Sequence, residues 1–366
     1  MPSLYFNCYL ISYMRIHIVG TPRNPSTPII AVDPFARVSY YLTTMLHRNN
    51  VEVYYYGYET STVECTKKYS IVDDNFHSKY FTKEFENSQW NYSTEGENIF
   101  VSKAIESIKS NLHPEDLIVS TWGSQIPKLQ TLENNGVKVI DGHVGYLYDS
   151  GAKYKVFTSR ANQHYIYGTT NSQGGFWNDI VIPPPANSIT EFEFNPNKQG
   201  YFLYIARLIE QKGIFIFLDL ARSFPEKSFI LAGQGDISLL HCEIPPNVEY
   251  VGYADLNKRK TLLANASAVI SPTHYVEPFG LTSVEAALSG TPIITTSWGG
   301  YIDNVVEGVT GFKCSSFKEF KEAINKVHQL DALECRKFGE RFTAEYLIHD
   351  YIKYFKTIIK NNWYEN

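Results

Sequence analysis

The sequence contains no run of 18 consecutive apolar residues, so a transmembrane helix is not expected. Cysteine is scarce and scattered: Cys8, Cys65, Cys242, Cys314 and Cys335 are odd in number and form no CxxC or Cys/His cluster. That pattern indicates neither a disulfide framework nor a zinc site, and a reducing, cytoplasmic setting is expected. Positive charge is not in excess, with 33 Lys+Arg against 38 Asp+Glu and a net charge of −5, which argues against a bulk electrostatic partner such as nucleic acid. No strand-like run is followed by G-x-G-x-x-G opening a helix, which disfavours an NAD-dependent dehydrogenase. Repeats of 20–50 residues and low-complexity tracts are also missing. The segment Leu4–Tyr13 is apolar but lacks a basic flank, so it does not read as a signal peptide. Residues 1–13 are expected to be an upstream extension or a loosely attached arm.

What is present is material for packed cores: 366 residues, 43% hydrophobic and 19% charged, enough for roughly two domains. Short β-rich runs alternate with helical stretches. The first set is Arg15–Gly20, Val51–Gly57, Asp116–Trp122, Val137–His143, Tyr154–Ser159 and Asp179–Pro183, near-continuously apolar as in strands buried on both faces. Between the first two, Val38, Tyr41, Leu42, Met45 and Leu46 fall on one stripe of a helix, Ala36–Arg48, giving a right-handed parallel crossover. The polar stretch Glu59–Asn111 reads as an irregular insertion followed by a helix near Phe100–Lys109. After Pro183-Pro184-Pro185 the pattern pauses, and residues 187–199 read as a linker. It then restarts with Tyr201–Ala206, Ser228–Gly233, Val248–Tyr253, Ala268–Ser271, Pro292–Thr296 and Gly311–Cys314. The expected architecture is α/β, with two Rossmann-like, doubly wound parallel-sheet domains (14–186 and 200–343) facing across a cleft.

The window Ser267–Cys314 carries the chemistry. A strand ends at Ser271, a loop runs to Gly280, and a helix over Leu281–Ser289 stops at Gly290. The first-turn amides of that helix are open donors at the positive end of its dipole, suited to a phosphate, and Gly280 permits close backbone approach. Glu277 and Glu285 bracket the junction. Beside a phosphate they are tolerable as acceptors from hydroxyls, a sugar on one side and a ribose on the other. Arg207 leaves the strand Tyr201–Ala206, and Lys212 follows five residues later, so the two cations can clamp a diphosphate. Gly233 and Gly235 read as turn formers at the next strand end. Asp33 is a candidate N-cap for the first helix, with a hydroxyl acceptor in the cleft as its rival role, and Arg37 is a second acceptor-side candidate. His17 reads as a satisfied core residue, while His274 is divided between site wall and surface. Lys353, Lys356 and Lys360 on the last helix read as a solvated face, with peripheral membrane contact as the rival role.

Together these residues resemble the family 4 glycosyltransferases of the GT-B fold. Glu277-Pro278-Phe279-Gly280-Leu281-Thr282-Ser283-Val284-Glu285 matches the family's E-x7-E signature, and Arg207…Lys212-Gly213 its diphosphate clamp. Ser297-Trp298-Gly299-Gly300 and Thr310-Gly311-Phe312 match further landmarks, and the resemblance extends from about Met14. It implies that Glu277 holds hydroxyls of a donor sugar, that Glu285 holds the ribose, and that Arg207, Lys212 and the amides of Gly280, Leu281 and Thr282 hold the diphosphate of a nucleotide sugar. Phe279 and Gly233 would border the donor, Tyr253 would lie near the base, and His143 near the donor sugar. It further implies retention of anomeric configuration, no bound metal or other cofactor, and a terminal helix, 344–366, returning to the first domain. The acceptor would be a glycan, a lipid or another hydroxyl compound. The loops Thr21-Pro22-Arg23 and Asp33–Arg37 depart from the family's Gly-Gly pair after the first strand. A sugar-nucleotide epimerase and a non-catalytic nucleotide-sugar or glycan binder are the alternatives that such a sequence leaves open.

Overall fold

The computed structural model describes residues 14–29, 33–81, 94–172 and 175–360. The expected arm 1–13 and the segment 361–366 of the expected terminal helix lie outside the described residues. The first domain contains β1 (Arg15–Val19), α1 (Pro34–Arg48), β2 (Glu52–Tyr58), β3 (Lys67–Val72), α2 (Asp74–Tyr80), α3 (Thr94–Lys109), β4 (Leu117–Ser120), α4 (Ile126–Leu129), β5 (Lys138–Val144), β6 (Tyr154–Phe157), α5 (Arg160–Thr169) and β7 (Asp179–Val181). The second contains β8 (Tyr201–Ile205), α6 (Ile214–Ser223), β9 (Ser228–Ala232), β10 (Val248–Tyr250), α7 (Leu256–Asn265), β11 (Ala268–Ser271), α8 (Leu281–Leu288), β12 (Ile293–Thr296), α9 (Tyr301–Asn304), β13 (Gly311–Cys314), α10 (Phe317–Lys326) and α11 (Ala332–Glu340). A final helix, α12 (Ala344–Lys360), follows.

Every strand pair is parallel, in the orders β3-β2-β1-β4-β5-β6-β7 and β10-β9-β8-β11-β12-β13. The β-branched runs explain this: Ile16, Ile18, Leu117, Ile118 and Val119 are fully buried, because helices cover both sheet faces. Both domains are therefore doubly wound, each with its order reversing beside its first strand, at β1/β4 and at β8/β11.

One expectation needs correction. Among the described residues, the stretch Glu59–Asn111 holds an edge strand, β3, and a short helix, α2, in place of an irregular insertion, while α3 is the helix expected near Phe100–Lys109 and starts at Thr94. The sequence of β3, KKYSIV, is mostly exposed, so it lacks the apolar continuity of the inner strands.

The helix α12 packs into the first domain. Leu347, Ile348, Tyr351, Phe355 and Ile358 share a core with Ile16, Leu42, Leu46 and Val53. Its exit is fixed by Lys138 on β5, whose Nζ donates to the carbonyl of Ile358 at 2.5 Å. Lys353, Lys356 and Lys360 lie on its exposed face. Among the described residues, no helix is long and apolar enough to cross a membrane. The connection 187–199 has no regular structure but is not slack. Ala344 N–H donates to Asn187 O at 2.8 Å, and the Arg336 guanidinium bonds the carbonyls of Ile189, Phe192 and Leu288.

Candidate active site

The two reversal points face each other across one cavity of about 540 Å³. The second domain contributes Arg207 beyond β8, Gly233 beyond β9, Tyr253 beyond β10, and the loop from Tyr275 to Thr282 beyond β11. The first contributes Phe35 from the first turn of α1, His143 from the end of β5, and Tyr146 just after it. The cavity therefore brings together Arg207, Lys212, Gly233, Tyr253, Glu277, Phe279, Gly280, Leu281, Thr282 and His143.

Glu277 is held from two sides. Lys212 Nζ lies 2.6 Å from Oε2, and the Tyr275 hydroxyl donates to the same oxygen at 2.8 Å. Lys212 also donates to the Tyr275 oxygen at 2.7 Å, which closes a three-membered cluster. Burial and the neighbouring Glu277 charge push the Tyr275 phenol well above its ordinary pKa, so it stays a hydrogen-bond donor. Arg207 is exposed to the cavity mouth. Its backbone carbonyl accepts from the Tyr204 hydroxyl at 2.8 Å, which fixes the turn leaving β8.

The helix α8 begins at Gly280, whose φ of +86° is left-handed and whose missing Cβ leaves room for the Tyr301 ring; a Cβ there would lie 2.5 Å from a ring carbon. Among the described residues no side chain caps this end, and no acid lies in its first turn, so its leading amides point at the cavity lined by Gly280, Leu281 and Thr282. Gly299 explains the Gly-Gly pair. At φ +67° its α-carbon sits against the backbone of Glu277, where a Cβ would meet Glu277 N at 2.7 Å, and Gly300 N–H bonds Glu277 O at 2.7 Å. The loop bearing Glu277 thus rests on this turn.

Glu285 is more deeply set, on α8, and does not itself border the cavity. Its carboxylate is engaged by Arg259 from α7, with Nε 2.5 Å from Oε2, and Arg259 also donates to the Thr282 hydroxyl at 2.9 Å. Arg259 faces the cavity and had not been singled out in the sequence. Nothing local signals it, because its partner lies 26 positions on and the helix α7 is otherwise weakly amphipathic.

His143 is 5% exposed, and burial pushes its pKa down to about 3, so the imidazole is neutral at ordinary pH. Its Nδ1 has no hydrogen-bond partner among the described residues. Phe35 packs edge-on at 5.1 Å. Asp141, two residues earlier, is buried and raised to about 6.

The two acceptor-side candidates do not border the cavity. Asp33 caps α1, its Oδ1 accepting from Phe35 N and Ala36 N at 3.0 and 3.1 Å. Arg37 is buried and spent on the interdomain connection, donating to Ala186 O, Asn187 Oδ1 and Glu191 Oε2. Its place one turn into α1 turns it to the core side, so a cleft role for it is corrected to a structural one. His17 is fully buried between the Tyr56 hydroxyl and Asp116. His274 is exposed and borders a separate cavity of about 370 Å³ beside Trp298 and Phe317. Among the described residues, no group of three His, Cys, Asp or Glu side chains is placed to hold a metal ion.

Comparison with known proteins agrees with this arrangement. Residues 187–344 match the model of the family described as glycosyl transferases group 1. Over 124 residues, 31% of the chain, it is 35% identical to the glycogen synthase of Mycobacterium tuberculosis, covering 30% of that protein. An uncharacterised glycosyltransferase of Methanocaldococcus jannaschii is 29% identical over 118 residues, 30% of each chain. The chain thus aligns with about a third of the length of these curated relatives. Solved structures match nearly end to end, three of them as follows. AviGT4, a glycosyltransferase of avilamycin A biosynthesis, has a TM-score of 0.70 at 16% identity, covering 95% of this chain and 98% of that one. Sucrose-phosphate synthase from Thermosynechococcus elongatus has a TM-score of 0.69 at 17% identity, covering 95% and 100%. HepE of Anabaena, solved with UDP and glucose, has a TM-score of 0.60 at 15% identity, covering 95% and 99%. Residues 187–344 are thus similar to the glycosyl transferases group 1, and the whole chain has the GT-B architecture of two Rossmann-like domains across a cleft.

Proposed function

We propose that this protein is a retaining glycosyltransferase that moves a hexose-type sugar from a nucleoside diphosphate sugar to a hydroxyl acceptor. The observation that carries the reading is the cavity wall on which Arg207, Lys212, the uncapped start of α8 and Glu277 converge, opposite the neutral His143. Two cations and a helix N-terminus suit a diphosphate, and a carboxylate beside them suits sugar hydroxyls. Lys212 has three N–H donors, so it can keep Glu277 in place while facing a phosphate oxygen. Arg259, which faces the cavity, engages Glu285 behind it, so a ribose hydroxyl reaches Glu285 only as Arg259 gives way. Tyr253 borders the end of the cavity where a base would lie.

In the transfer, the bond from the anomeric carbon to the β-phosphate oxygen breaks. The acceptor oxygen bonds that carbon from the same face. The acceptor proton passes to the departing phosphate oxygen, leaving a nucleoside diphosphate. Arg207, Lys212 and the α8 amides oppose the charge that develops on that oxygen, so the reading requires no metal ion. His143, neutral, donates to or accepts from a sugar hydroxyl and does not exchange a proton with the reaction. Closure of the two domains excludes water. The presence of UDP and UDP-glucose in structures of HepE makes UDP-glucose the first donor to try.

The test is thermal unfolding with UDP-, GDP- and dTDP-sugars, followed by transfer assays with the donor that binds. A donor at 100 times its Kd raises stability by about 2.7 kcal/mol. The expected product keeps the donor's anomeric configuration by NMR, and Glu277→Ala loses transfer. Epimerised donor formed without acceptor, or an inverted product, would sink the reading.

A further inference from the structure

Beyond β5 the chain carries two tyrosines at alternate positions, Tyr146 and Tyr148, that are 40% and 42% exposed. Their ring centroids lie 6.3 Å apart at 24°, so the two rings are near-parallel and form one aromatic patch. Tyr146 leans on Phe35 at 5.0 Å and on the edge of Trp122 at 5.7 Å, and Phe35 packs at 4.5 Å from Trp122 and 5.1 Å from His143. The patch is therefore anchored to α1 and to the ends of β4 and β5. It begins in the main cavity beside His143, which Tyr146 also borders. It continues to a small recess lined by Tyr148, Asp141 and Gly123.

Exposed, pre-ordered aromatic rings at a cleft mark a binding surface rather than a core. Among the described residues, those of the first domain that line the cavity and the recess include no Lys or Arg. The nearby Arg23 is buried, packed 4.8 Å over Trp122 and 3.5 Å from Glu97. This wall is thus poor in positive charge, and it is short, aromatic and tipped with phenols. A phosphorylated acceptor would meet no clamp here, and an alkyl chain would find no long aliphatic groove. A sugar ring fits, because its C–H face matches the negative face of a tyrosine and its hydroxyl rim reaches phenols and His143.

We infer that the acceptor is a neutral carbohydrate chain, with one ring seated on Tyr146 and Tyr148 beside His143. The inference rests on the reading of the protein as a glycosyltransferase. The experiment is calorimetric titration of the wild type, Tyr148→Ala and Tyr148→Phe with maltotetraose, cellotetraose and chitotetraose, each alongside a UDP-glucose titration. A glycan Kd raised tenfold or more in Tyr148→Ala, restored in Tyr148→Phe and with UDP-glucose affinity within twofold of wild type, is the expected result. Equal glycan affinity in all three proteins overturns the inference. So does a wild type that binds none of the glycans yet glycosylates decanol or decyl phosphate, an outcome that leaves the transferase reading standing. If UDP-glucose and its analogues bind nowhere, the transferase reading falls, while a glycan site lost in Tyr148→Ala still supports the seat.

Discussion

Lys212 and Glu277 form the kind of pair in which each side chain depends on the other, since both are largely withdrawn from water, with side chains 17% and 13% exposed. Removing one partner leaves a poorly solvated charge behind, whereas removing both does not. Lys212→Met is therefore expected to cost more folding stability than Lys212→Met/Glu277→Gln, with a coupling of about 1–3 kcal/mol by denaturant titration without donor. Additive losses would show that the pair does not act as a unit. In turnover, each single change is expected to lower kcat by roughly 10²–10³, the usual cost of one preorganised electrostatic group. His143 gives a second test. Its folded-state pKa is depressed from 6.5 to about 3 by burial, so the unfolded chain takes up a proton that the folded one refuses as pH falls. The neutral imidazole thus contributes stability present above about pH 6.5 and progressively lost from there toward pH 3. Between pH 7.5 and 5 the loss from this group is about 2 kcal/mol, and His143→Gln should flatten the wild-type slope by that amount in urea titrations at the two pH values. A slope unchanged by the substitution would mean that His143 is protonated in the folded protein.

At the scale of elements, the decisive unit is the left-handed residue that starts α8. Gly280→Ala meets both a positive φ and the Tyr301 ring. It is expected to cost about 1–2 kcal/mol from the backbone alone, more if Tyr301 cannot move, and to weaken UDP-glucose binding at least tenfold as the leading amides shift. Gly308, at φ +69° with open space around its α-carbon, is the control, because Gly308→Ala carries the backbone cost without touching the site. Equal donor affinity in the two variants would remove α8 from the binding wall. This element was legible in the sequence because its signals are local: a strand end, a glycine, a period of 3.6 and a stopping glycine within twenty residues. The Asp33 cap of α1 and the inner strands were legible for the same reason. What stayed hidden depends on distance along the chain. Arg259 meets Glu285 only because α7 and α8 pack side by side, and Arg37 is claimed by a connection 150 residues away. The edge strand β3 escaped for a different reason: a strand with one pairing neighbour and a wet face does not need the apolar run that marks the inner ones.

At the scale of the molecule, the two domains meet in two ways. On one side the chain itself joins them, where residues 187–191 and the start of α12 cross and Arg37 and Glu345 bind them to each other. On the other side, among the described residues, hydrogen bonds join them. Thr158 and Ser159 hydroxyls donate to Pro278 O at 3.1 and 2.6 Å, and Arg160 N–H donates to Asp303 Oδ2 at 2.6 Å. A covalent crossing opposite a polar latch is the geometry of a hinge, and Pro278 follows Glu277 directly, so opening the latch carries the Glu277 loop away from His143. Asp303→Ala tests this with little other damage, since the residue is exposed. One such bond is worth ~1 kcal/mol net, which shifts an open–closed balance by roughly fivefold. The expected result is a larger radius of gyration by small-angle scattering without ligand, a return to the wild-type value with saturating UDP-glucose, and a donor Kd raised by no more than that factor. Thermal stability should stay near wild type, because neither domain core is touched. An unchanged radius together with unchanged affinity would mean that the latch does not govern closure, and that the crossing at residues 187–191 alone sets the distance between Glu277 and His143.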